Sequence, residues 1–384
     1  MLMKIGIVCY PTFGGSGVVA TELGKALAEK GHQVHFITYH QPVRLDFFSE
    51  NVSYHEVTVN DYPLFEYSPY ETALTSKLVD VATFERLDIL HVHYAIPHAH
   101  VAYMAKQILA TQGIYIPFVT TLHGTDITLV GRDSGFAPVV TFAINHSDAV
   151  TAVSQSLKDE TYANFHITKD IEVIPNFIDL RRFSKLRKEH FRKAIAPNNE
   201  KLIVHASNFR KVKRVQDVVS IFHKVNKTIP SKLLLIGDGP ERHSIERDCR
   251  DCEGCGDIRF LGKQEAVEEI LSVSDLFLLP SETESFGLAA LEAMACQVPV
   301  ISSNTGGIPE LNIQGVTGFL SNVGDVDDMA KHAVYILEDE KRLLQFKNNA
   351  LEQAKKFDIK IITPIYENLY KRVIEADKAL HLQS

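Results

Sequence analysis

The sequence has no tryptophan and only five cysteines among its 384 residues. So few cysteines cannot make the dense disulfide framework of a small secreted protein. We therefore expect reduced thiols and a protein of the cytoplasm. The first residues also lack the pattern of a signal peptide, because the apolar run after Lys4 breaks at Pro11 without a small-residue cleavage site.

Long apolar runs and a positive net charge are missing as well. No stretch of about 18 apolar residues occurs, so we expect no membrane span and no stable membrane insertion. The formal net charge of −8 argues against a surface built for nucleic acid, although local basic turns can bind small anions. The hydrophobic fraction of 45% over this length allows two ordinary globular cores.

Apolar runs alternate with helical patterns twice along the chain, which predicts two doubly wound α/β domains with parallel sheets. The first series predicts strands at 4–10, 34–39, 87–94, 117–124, 148–154 and 171–178, with helices at 18–32 and 102–113. The second predicts strands at 201–208, 232–240, 258–262, 275–281 and 298–303, with helices at 215–226, 286–296 and within 350–384. We expect domains at 1–178 and 179–360, and a helix at 361–384 that packs back on the first domain.

A glycine loop, GGSGVVA at 14–20, follows the first predicted strand. From Gly15 its spacing fits the dinucleotide pattern G-x-G-x-x-G/A, but that site also needs an acidic residue at the end of the second strand. The first acid there is Asp46, well past the strand end, which disfavours a dinucleotide-dependent oxidoreductase. Backbone N–H groups that no side chain covers, at the start of a helix, still favour binding of an anion. The alternative is a turn that binds no ligand.

The segment SETESFGLAALEAMA at 281–295 places Glu284 before a predicted helix and Glu292 about two turns into it. The backbone N–H groups of residues 286–288 would point out of the helix start toward a diphosphate. Two glutamates on a helix are commonly a solvated face. Here they follow a strand and a Pro-Ser break, which favours a binding site.

The turn SNFRKVKR at 207–214 carries four cations between a strand and a helix. That density suits a diphosphate, and a solvated basic turn is the alternative. In TTLHGTDIT at 120–128, a strand ends at His123. This histidine either belongs to the core or faces a ligand, because ligands of such sheets bind beyond the carboxyl ends of the strands.

Histidines and cysteines raise the question of a metal site. HVHYAIPHAH at 91–100 puts His91 and His93 on one strand face, but no cysteine or carboxylate partner is evident nearby. A C-x2-C-x2-C pattern lacks a clear fourth ligand, and its members are Cys249, Cys252 and Cys255. We expect no bound metal ion and no cofactor, and free thiols at these cysteines.

Taken together, these motifs resemble the retaining GT-B glycosyltransferases of family 4. The donor-site signature of that family, E-G-F-G-L-x-x-L-E-A-M-A with a later G-G-x-P-E, is similar to residues 284–295 and to GGIPE at 306–310. LLLIGDGP at 233–240 and FLG at 260–262 also fall where the family has them. The resemblance implies two Rossmann-like domains facing across a cleft, with the acceptor bound by the first and the nucleotide sugar by the second.

The resemblance also implies roles for donor-side residues. Glu284 would contact the donor hexose and Glu292 the ribose, while Leu261 and Gly262 would flank the nucleotide base. Further donor contacts are expected at Gly15, Phe286, Gly287 and Leu288.

Catalysis is expected at His123, Lys213 and Glu284. Lys213 matches a family lysine that binds the diphosphate together with an arginine. Asn208 stands in the place of that arginine, and Arg210 lies two residues on, where it could supply the missing charge. By resemblance, His123 would abut the donor sugar at the reacting centre.

Four stretches are similar to family members that transfer N-acetylglucosamine from UDP-N-acetylglucosamine to L-malate with retention: 14–32, 91–99, 120–128 and 207–218. Acceptor contacts are expected from Gly15, Ser16, Tyr94 and Thr121. A family member acting on a lipid or polysaccharide is the main alternative, with LDFFSENV at 45–52 as its one hint, and a protein that only binds these ligands is another. The sequence leaves the oligomeric state open, a homo-oligomer included.

Overall fold

The computed structural model describes residues 2–12, 14–45, 50–59, 68–129, 133–185, 188–250 and 255–382. The chain divides into two compact units. One combines Met1–Asn176 with Ile359–Ser384, and the other is Phe177–Asp358. We call them the N-terminal unit and the C-terminal unit. Each is built around its own parallel sheet.

The N-terminal unit has a seven-stranded sheet, ordered β3-β2-β1-β4-β5-β6-β7. Its central strands are almost entirely buried because helices cover both faces of a parallel sheet. The strands are β1 (Lys4–Val8), β2 (Gln33–Thr38), β3 (Val52–Glu56), β4 (Ile89–His93), β5 (Phe118–Leu122), β6 (Ala149–Ala152) and β7 (Ile171–Val173). The helices are α1 (Gly15–Glu29), α2 (Tyr70–Glu85), α3 (His100–Thr111), α4 (Ala137–His146) and α5 (Gln155–Asn164), with π-helical turns at Ala95–Ala99 and Thr125–Leu129.

The C-terminal unit has a six-stranded sheet, ordered β10-β9-β8-β11-β12-β13. The strands are β8 (Lys201–Ala206), β9 (Ser231–Ile236), β10 (Ile258–Gly262), β11 (Leu276–Leu279), β12 (Val300–Ser303) and β13 (Gly318–Ser321). The helices are α6 (Glu189–Ile195), α7 (Val215–Asn226), α8 (Arg242–Arg250), α9 (Val267–Leu271), α10 (Leu288–Ala295), α11 (Ile308–Leu311), α12 (Val326–Leu337) and α13 (Glu340–Ala354). Short 3-10 turns occupy Lys211–Lys213, Cys255–Asp257 and Lys355–Phe357.

The last helix, α14 (Ile359–His381), belongs to the N-terminal unit. It packs on α1, and the hydroxyl of Tyr370 on α14 is hydrogen-bonded to Nδ1 of His91 on β4 at 2.6 Å. Tyr366 and Tyr370 are among the largest fully buried side chains. A segment far along the chain therefore completes the core of this unit.

Several element boundaries differ from those that the sequence predicts. α1 begins at Gly15 and not at Val18, so the glycine loop forms the first turn of the helix. α10 begins at Leu288 and not at Phe286, because Gly287 precedes it with a φ of 93°. β7 ends at Val173 because Pro175 has no N–H to extend the ladder. The segment predicted as one helix at its C-terminal end is divided between α13 and α14 by the turn at Lys355–Phe357.

Each sheet has one point where the strand order reverses. In the N-terminal unit it lies between β1 and β4, and in the C-terminal unit between β8 and β11. Chains leaving the two strands at such a point turn to opposite faces of the sheet, and ligands of open α/β sheets bind in the crevice that results. We therefore expect a ligand-binding site at the loops that follow these four strands. Among the described residues, no helix has the length and apolar character needed to cross a bilayer.

Candidate active site

In the C-terminal unit, the loops that follow β8 and β11 are joined by hydrogen bonds. The backbone N–H of Glu282 donates to the carbonyl of Val212 at 2.8 Å. The Lys213 ammonium lies 2.5 Å from Oε1 of Glu284, and the Ser281 hydroxyl donates to the same oxygen at 2.9 Å. The side chains of Lys213 and Glu284 retain 16% and 13% exposure, so the pair is largely shielded but still reachable. The structure thus brings together two residues that the sequence predicts to be catalytic.

The two glycines of GGIPE contact the backbone of Glu284. The Gly307 N–H donates to the Glu284 carbonyl at 2.9 Å. A Cβ on Gly306 would lie 1.9 Å from that carbonyl oxygen, so no side chain fits there. The Gly-Gly pair therefore fixes the backbone that presents the Glu284 carboxylate.

A buried histidine that the sequence analysis did not single out supports the same loops. His205 on β8 donates from Nδ1 to the Leu278 carbonyl at 2.8 Å, since a carbonyl can only accept. Burial lowers the pKa of His205 to about 4, so the ring is neutral and its Nε2 accepts from the Ser207 hydroxyl at 2.8 Å. The Ser207 oxygen in turn accepts from the Phe209 N–H at 3.3 Å. This chain connects the core to the turn that carries the cations.

The four cations of that turn have different surroundings. Lys213 pairs with Glu284, and Arg214 pairs with Asp217 at 2.7 Å. Arg210 and Lys211 are exposed, as is the neighbouring Asn208. The exposed pair is therefore open to an anion, whereas Arg214 is already neutralised.

The other predicted donor residues lie on two further elements. Phe286 is buried, and its ring meets Phe357 edge-on at 5.5 Å between centroids. Because α10 begins at Leu288, the Phe286 amide lies before the helix and is not one of its first-turn N–H groups. Glu292 is half-buried on α10, and Leu261 and Gly262 end β10 at the sheet edge, two strands from β8.

In the N-terminal unit, the loops that follow β1 and β4 meet through Tyr94. Its phenol donates to the Ser16 hydroxyl at 2.7 Å, and burial raises the pKa of Tyr94 to about 12, so it keeps its proton. The ring packs edge-on against Tyr10 at 5.4 Å and lies 5.1 Å from His123. Two predicted acceptor residues and one predicted catalytic residue are thus neighbours.

The glycine loop owes part of its composition to packing. A Cβ on Gly17 would lie 2.4 Å from the carbonyl oxygen of Tyr10 and 2.6 Å from that of Thr12. Only glycine lets the chain after β1 lie so close to the start of α1. Gly15, by contrast, is exposed at the helix start, with Ser16 half-buried beside it.

Asp126 joins the loops after β4 and β5, a role the sequence analysis did not assign. Its carboxylate accepts from the Ala95 N–H at 2.9 Å and the Gly124 N–H at 3.1 Å. Burial raises the pKa of Asp126 to about 6, and the two N–H donors oppose that rise. These contacts fix the backbone beside Tyr94 and His123.

The histidines around His123 form a buried hydrogen-bonded group and leave no metal-ligand set at that point of the described chain. His93 Nδ1 lies 2.8 Å from His123 Nε2. His91 Nε2 contacts the Thr121 hydroxyl at 2.7 Å, and that hydroxyl also contacts Thr151 at 2.7 Å. Thr121 is fully buried, and its contact with an acceptor stays a prediction.

Of the three clustered cysteines, Cys249 is a buried free thiol. Cys252 and the side chain of Cys255 lie outside the described residues. Residues 46–49, which hold Asp46 and half of the LDFFSENV segment, also lie outside them.

Comparisons with known proteins match both units. The family model described as Glycosyltransferase Family 4 matches residues 13–182, and the one described as Glycosyl transferases group 1 matches residues 187–353. N-acetyl-alpha-D-glucosaminyl L-malate synthase of Bacillus anthracis is 50% identical over 380 residues, which cover 98% of this chain and 99% of that protein.

Solved structures show the same fold. Sucrose-phosphate synthase from Thermosynechococcus elongatus is similar with a TM-score of 0.81 at 20% identity, over 97% of this chain and 100% of that one. Anabaena HepE, in complex with UDP-glucose, is similar with a TM-score of 0.79 at 21% identity, over 96% of this chain and 100% of that one. The prediction of two Rossmann-like units is confirmed.

Proposed function

Because this chain belongs to the family 4 glycosyltransferases, whose fold is GT-B, we propose that it transfers N-acetylglucosamine from UDP-N-acetylglucosamine to the hydroxyl of L-malate. The 50% identity to the Bacillus anthracis synthase, over nearly the full length of both chains, carries this proposal. By the family resemblance, this is the first step of bacillithiol biosynthesis. The buried free thiols of Cys9, Cys249 and Cys296 agree with a reducing cytoplasm.

We assign departure of the UDP to the C-terminal unit. Negative charge grows on the β-phosphate as the bond to the sugar breaks, and fixed donors aimed at that charge lower the barrier. Lys213 is fixed by Glu284 at 2.5 Å, while the exposed Arg210 supplies a second cation near the Asn208 position. Backbone N–H groups at the start of α10 supply neutral donors.

The remaining donor contacts follow from the same assignment. Glu284 accepts from sugar hydroxyls with the carboxylate oxygens that Lys213 and Ser281 leave available. Glu292 accepts from the ribose, and the chain at Leu261 and Gly262 borders the base. The donor contact that the family resemblance implies for Gly15 stays a prediction.

We assign the acceptor to the loops after β1 and β4. The Ser16 oxygen already accepts the Tyr94 proton at 2.7 Å, so the Ser16 hydroxyl proton is free to point at a carboxylate of malate. The exposed N–H groups around Gly15 add donors at a helix start, where an anion is favoured. His123 lies beside Tyr94 and completes this face of the site.

Retention of configuration follows from the donor and product. UDP-N-acetylglucosamine carries an α-linked sugar, and the name of the Bacillus anthracis relative describes an α-linked product. We propose that the malate hydroxyl attacks C1 on the face from which UDP leaves. The C1–O bond to the β-phosphate breaks, a C1–O bond to malate forms, and the hydroxyl proton passes to the departing phosphate.

The test is release of UDP from UDP-N-acetylglucosamine by the purified full chain. L-malate should support release, whereas succinate, which keeps both carboxylates and lacks the hydroxyl, should not. Release that depends on a lipid or polysaccharide acceptor and not on L-malate would overturn the malate assignment and leave the family assignment intact. Proton NMR of the product should show an α-anomeric signal.

A further inference from the structure

A cluster of three potential metal ligands lies at the edge of the N-terminal sheet. His35 of β2, His55 of the neighbouring strand β3 and Glu85 at the end of α2 each offer a ligand atom, and these atoms lie within 4.8 Å of one another. In the parallel register His35 pairs with Ser53, so His55 follows two residues later on the same face of the sheet. The cluster is thus built by strand pairing and by the helix that covers that face.

The two imidazole nitrogens lie at hydrogen-bond distance, slightly closer than two nitrogens that share a zinc ion. His35 Nδ1 lies 3.0 Å from His55 Nε2, and the rings stack with centroids 5.3 Å apart. Nitrogens of two ligands in a tetrahedral zinc site, each about 2.0–2.1 Å from the metal, are about 3.3 Å apart. A small outward movement of one ring would admit the ion.

Burial keeps both rings of the pair neutral. His35 is only 4% exposed, and its Nδ1 is the nitrogen that faces His55. Burial lowers the pKa of His35 and of His55, so both rings are neutral, the form that binds metal. Glu85 opposes this shift at both rings, as Asp80 does at His55, while Lys4 lowers the pKa of His35 and Lys77 that of His55.

We propose that His35, His55 and Glu85 bind a zinc ion, with water in the remaining position. Two histidines and a glutamate are a ligand set that zinc accepts. The ion would tie β3, which is the edge strand and pairs only with β2, to the end of α2. Lys4, at the start of β1, donates to the Glu85 carbonyl at 2.9 Å, which places Glu85 near the amino ends of the strands. The residues assigned to the reaction follow the carboxyl ends, so this zinc would be structural.

The test measures zinc binding to the full chain after treatment with a chelator. Zinc titration by calorimetry, Co²⁺ absorption and thermal unfolding should each report one site per chain in the wild type. His55→Ala and Glu85→Gln should weaken zinc binding at least tenfold and abolish the zinc-dependent rise in Tm. His166→Ala, which removes an exposed histidine, should behave as wild type. Turnover should be unchanged in all three variants.

Two results would overturn the site. One is the absence of a stoichiometric zinc ion in the wild type. The other is equal zinc affinity in wild type, His55→Ala and Glu85→Gln, which would place any bound zinc elsewhere. If a His55→Ala chain is less stable but responds to zinc as the wild type does, His35 and His55 are linked by a hydrogen bond and not by a metal ion. Failure of this proposal leaves the glycosyltransferase assignment untouched, because the readout is metal affinity.

Discussion

Lys213 and Glu284 form an ion pair, so we expect them to act together in the reaction. We expect Lys213→Ala to lower kcat by about 10²–10³-fold, the usual loss when one preorganised donor to developing charge is removed. Glu284→Ala should cost a similar factor, since the ammonium 2.5 Å away would lose the group that orients it. Steady-state kinetics with both substrates measures these losses.

Lys211→Ala is the matched control, because it removes the same charge from the same turn at an exposed position. It should keep turnover within about threefold, as expected when a screened surface charge is lost. The double variant Lys213→Ala/Glu284→Ala should lose less than the product of the single losses. Two fully multiplicative losses would show that the pair does not cooperate, and activity that survives both changes would make the donor-site assignment wrong.

His93 determines which nitrogen of His123 carries the proton. Burial holds the pKa of His93 well below its usual range, so the ring is neutral, and its Nε2 is buried without a described partner. A buried N–H without an acceptor is rarer than an acceptor without a donor. The proton of His93 therefore lies on Nδ1 and is donated to His123 Nε2, which leaves the His123 proton on Nδ1 for a substrate oxygen.

Two variants whose new side chains are nearly equal in size distinguish the loss of this hydrogen-bond donor from the loss of packing. His93→Asn keeps an N–H donor near the Nδ1 position, and His93→Leu does not, while both lose the ring. We expect His93→Leu to lower kcat at least tenfold more than His93→Asn, with little difference in Tm. Nitrogen NMR should show the Nδ1–H tautomer of His123 in wild type and a mixture in His93→Leu. Equal kcat values for the two variants would contradict a positioning role.

At the scale of elements, the sequence predicts the interior strands of both sheets but only two of the four edge strands, β7 and β10. β1, β4 and β5 are buried on both faces, so they appear as apolar runs. β3, with sequence VSYHE, is half-exposed along its length and was not predicted. Short β13, with sequence GFLS, was not predicted either.

The site residues also divide into two groups. Some lie in a local sequence motif, and others depend on contacts between distant parts of the chain. Lys213 and Glu284 could be predicted because each follows an apolar strand in a recognisable motif. The supporting roles of His205, Asp126 and His93 could not, because their partners lie 30 or more residues away and depend on strand register. For the same reason the burial of Thr121 between His91 and Thr151 could not be predicted, since it is set by neighbouring strands.

The start of α1 offers a test of why its loop contains glycine. Gly17→Ala should destabilise the N-terminal unit by about 1–3 kcal/mol, because its Cβ would overlap two backbone carbonyls that cannot move independently. Gly14→Ala is the control, since its Cβ would meet only the Thr12 hydroxyl at 3.4 Å and its φ of −68° suits alanine. Thermal unfolding and the KM for L-malate should change in the first variant only. If Gly17→Ala and Gly14→Ala are equally stable, the loop can relax around the added Cβ.

At the scale of the whole molecule, buried histidines are distributed unequally between the units. The N-terminal unit buries His91, His93 and His98, and burial lowers the pKa of His91 to about 3 and of His98 to about 4. In the C-terminal unit, His205 is the described histidine that is fully buried. The unequal distribution predicts that acid will affect the two units differently.

The sign follows from where each proton binds. A histidine whose pKa is lowered on folding takes up its proton more readily when unfolded, so its stabilising contribution is complete above pH 6.5 and is lost as the pH falls toward its folded pKa. Each such ring costs about 1.4 kcal/mol per pH unit in that window. Asp126 acts in the opposite direction, because its raised pKa of about 6 makes the folded state bind a proton that the unfolded state does not.

We therefore expect a shift from pH 7 to pH 5 to destabilise the N-terminal unit by several kcal/mol and the C-terminal unit by about 2 kcal/mol. Calorimetry, with proteolysis and mass spectrometry to locate the first cleavages, distinguishes the units. His98→Asn keeps a donor for the His93 carbonyl, which His98 Nδ1 contacts at 2.6 Å, and removes one titrating ring. Between pH 7 and pH 5, that variant should lose about 2 kcal/mol less stability than the wild type. First cleavage in the C-terminal unit at pH 5, or no recovery in His98→Asn, would mean that these rings do not govern acid stability.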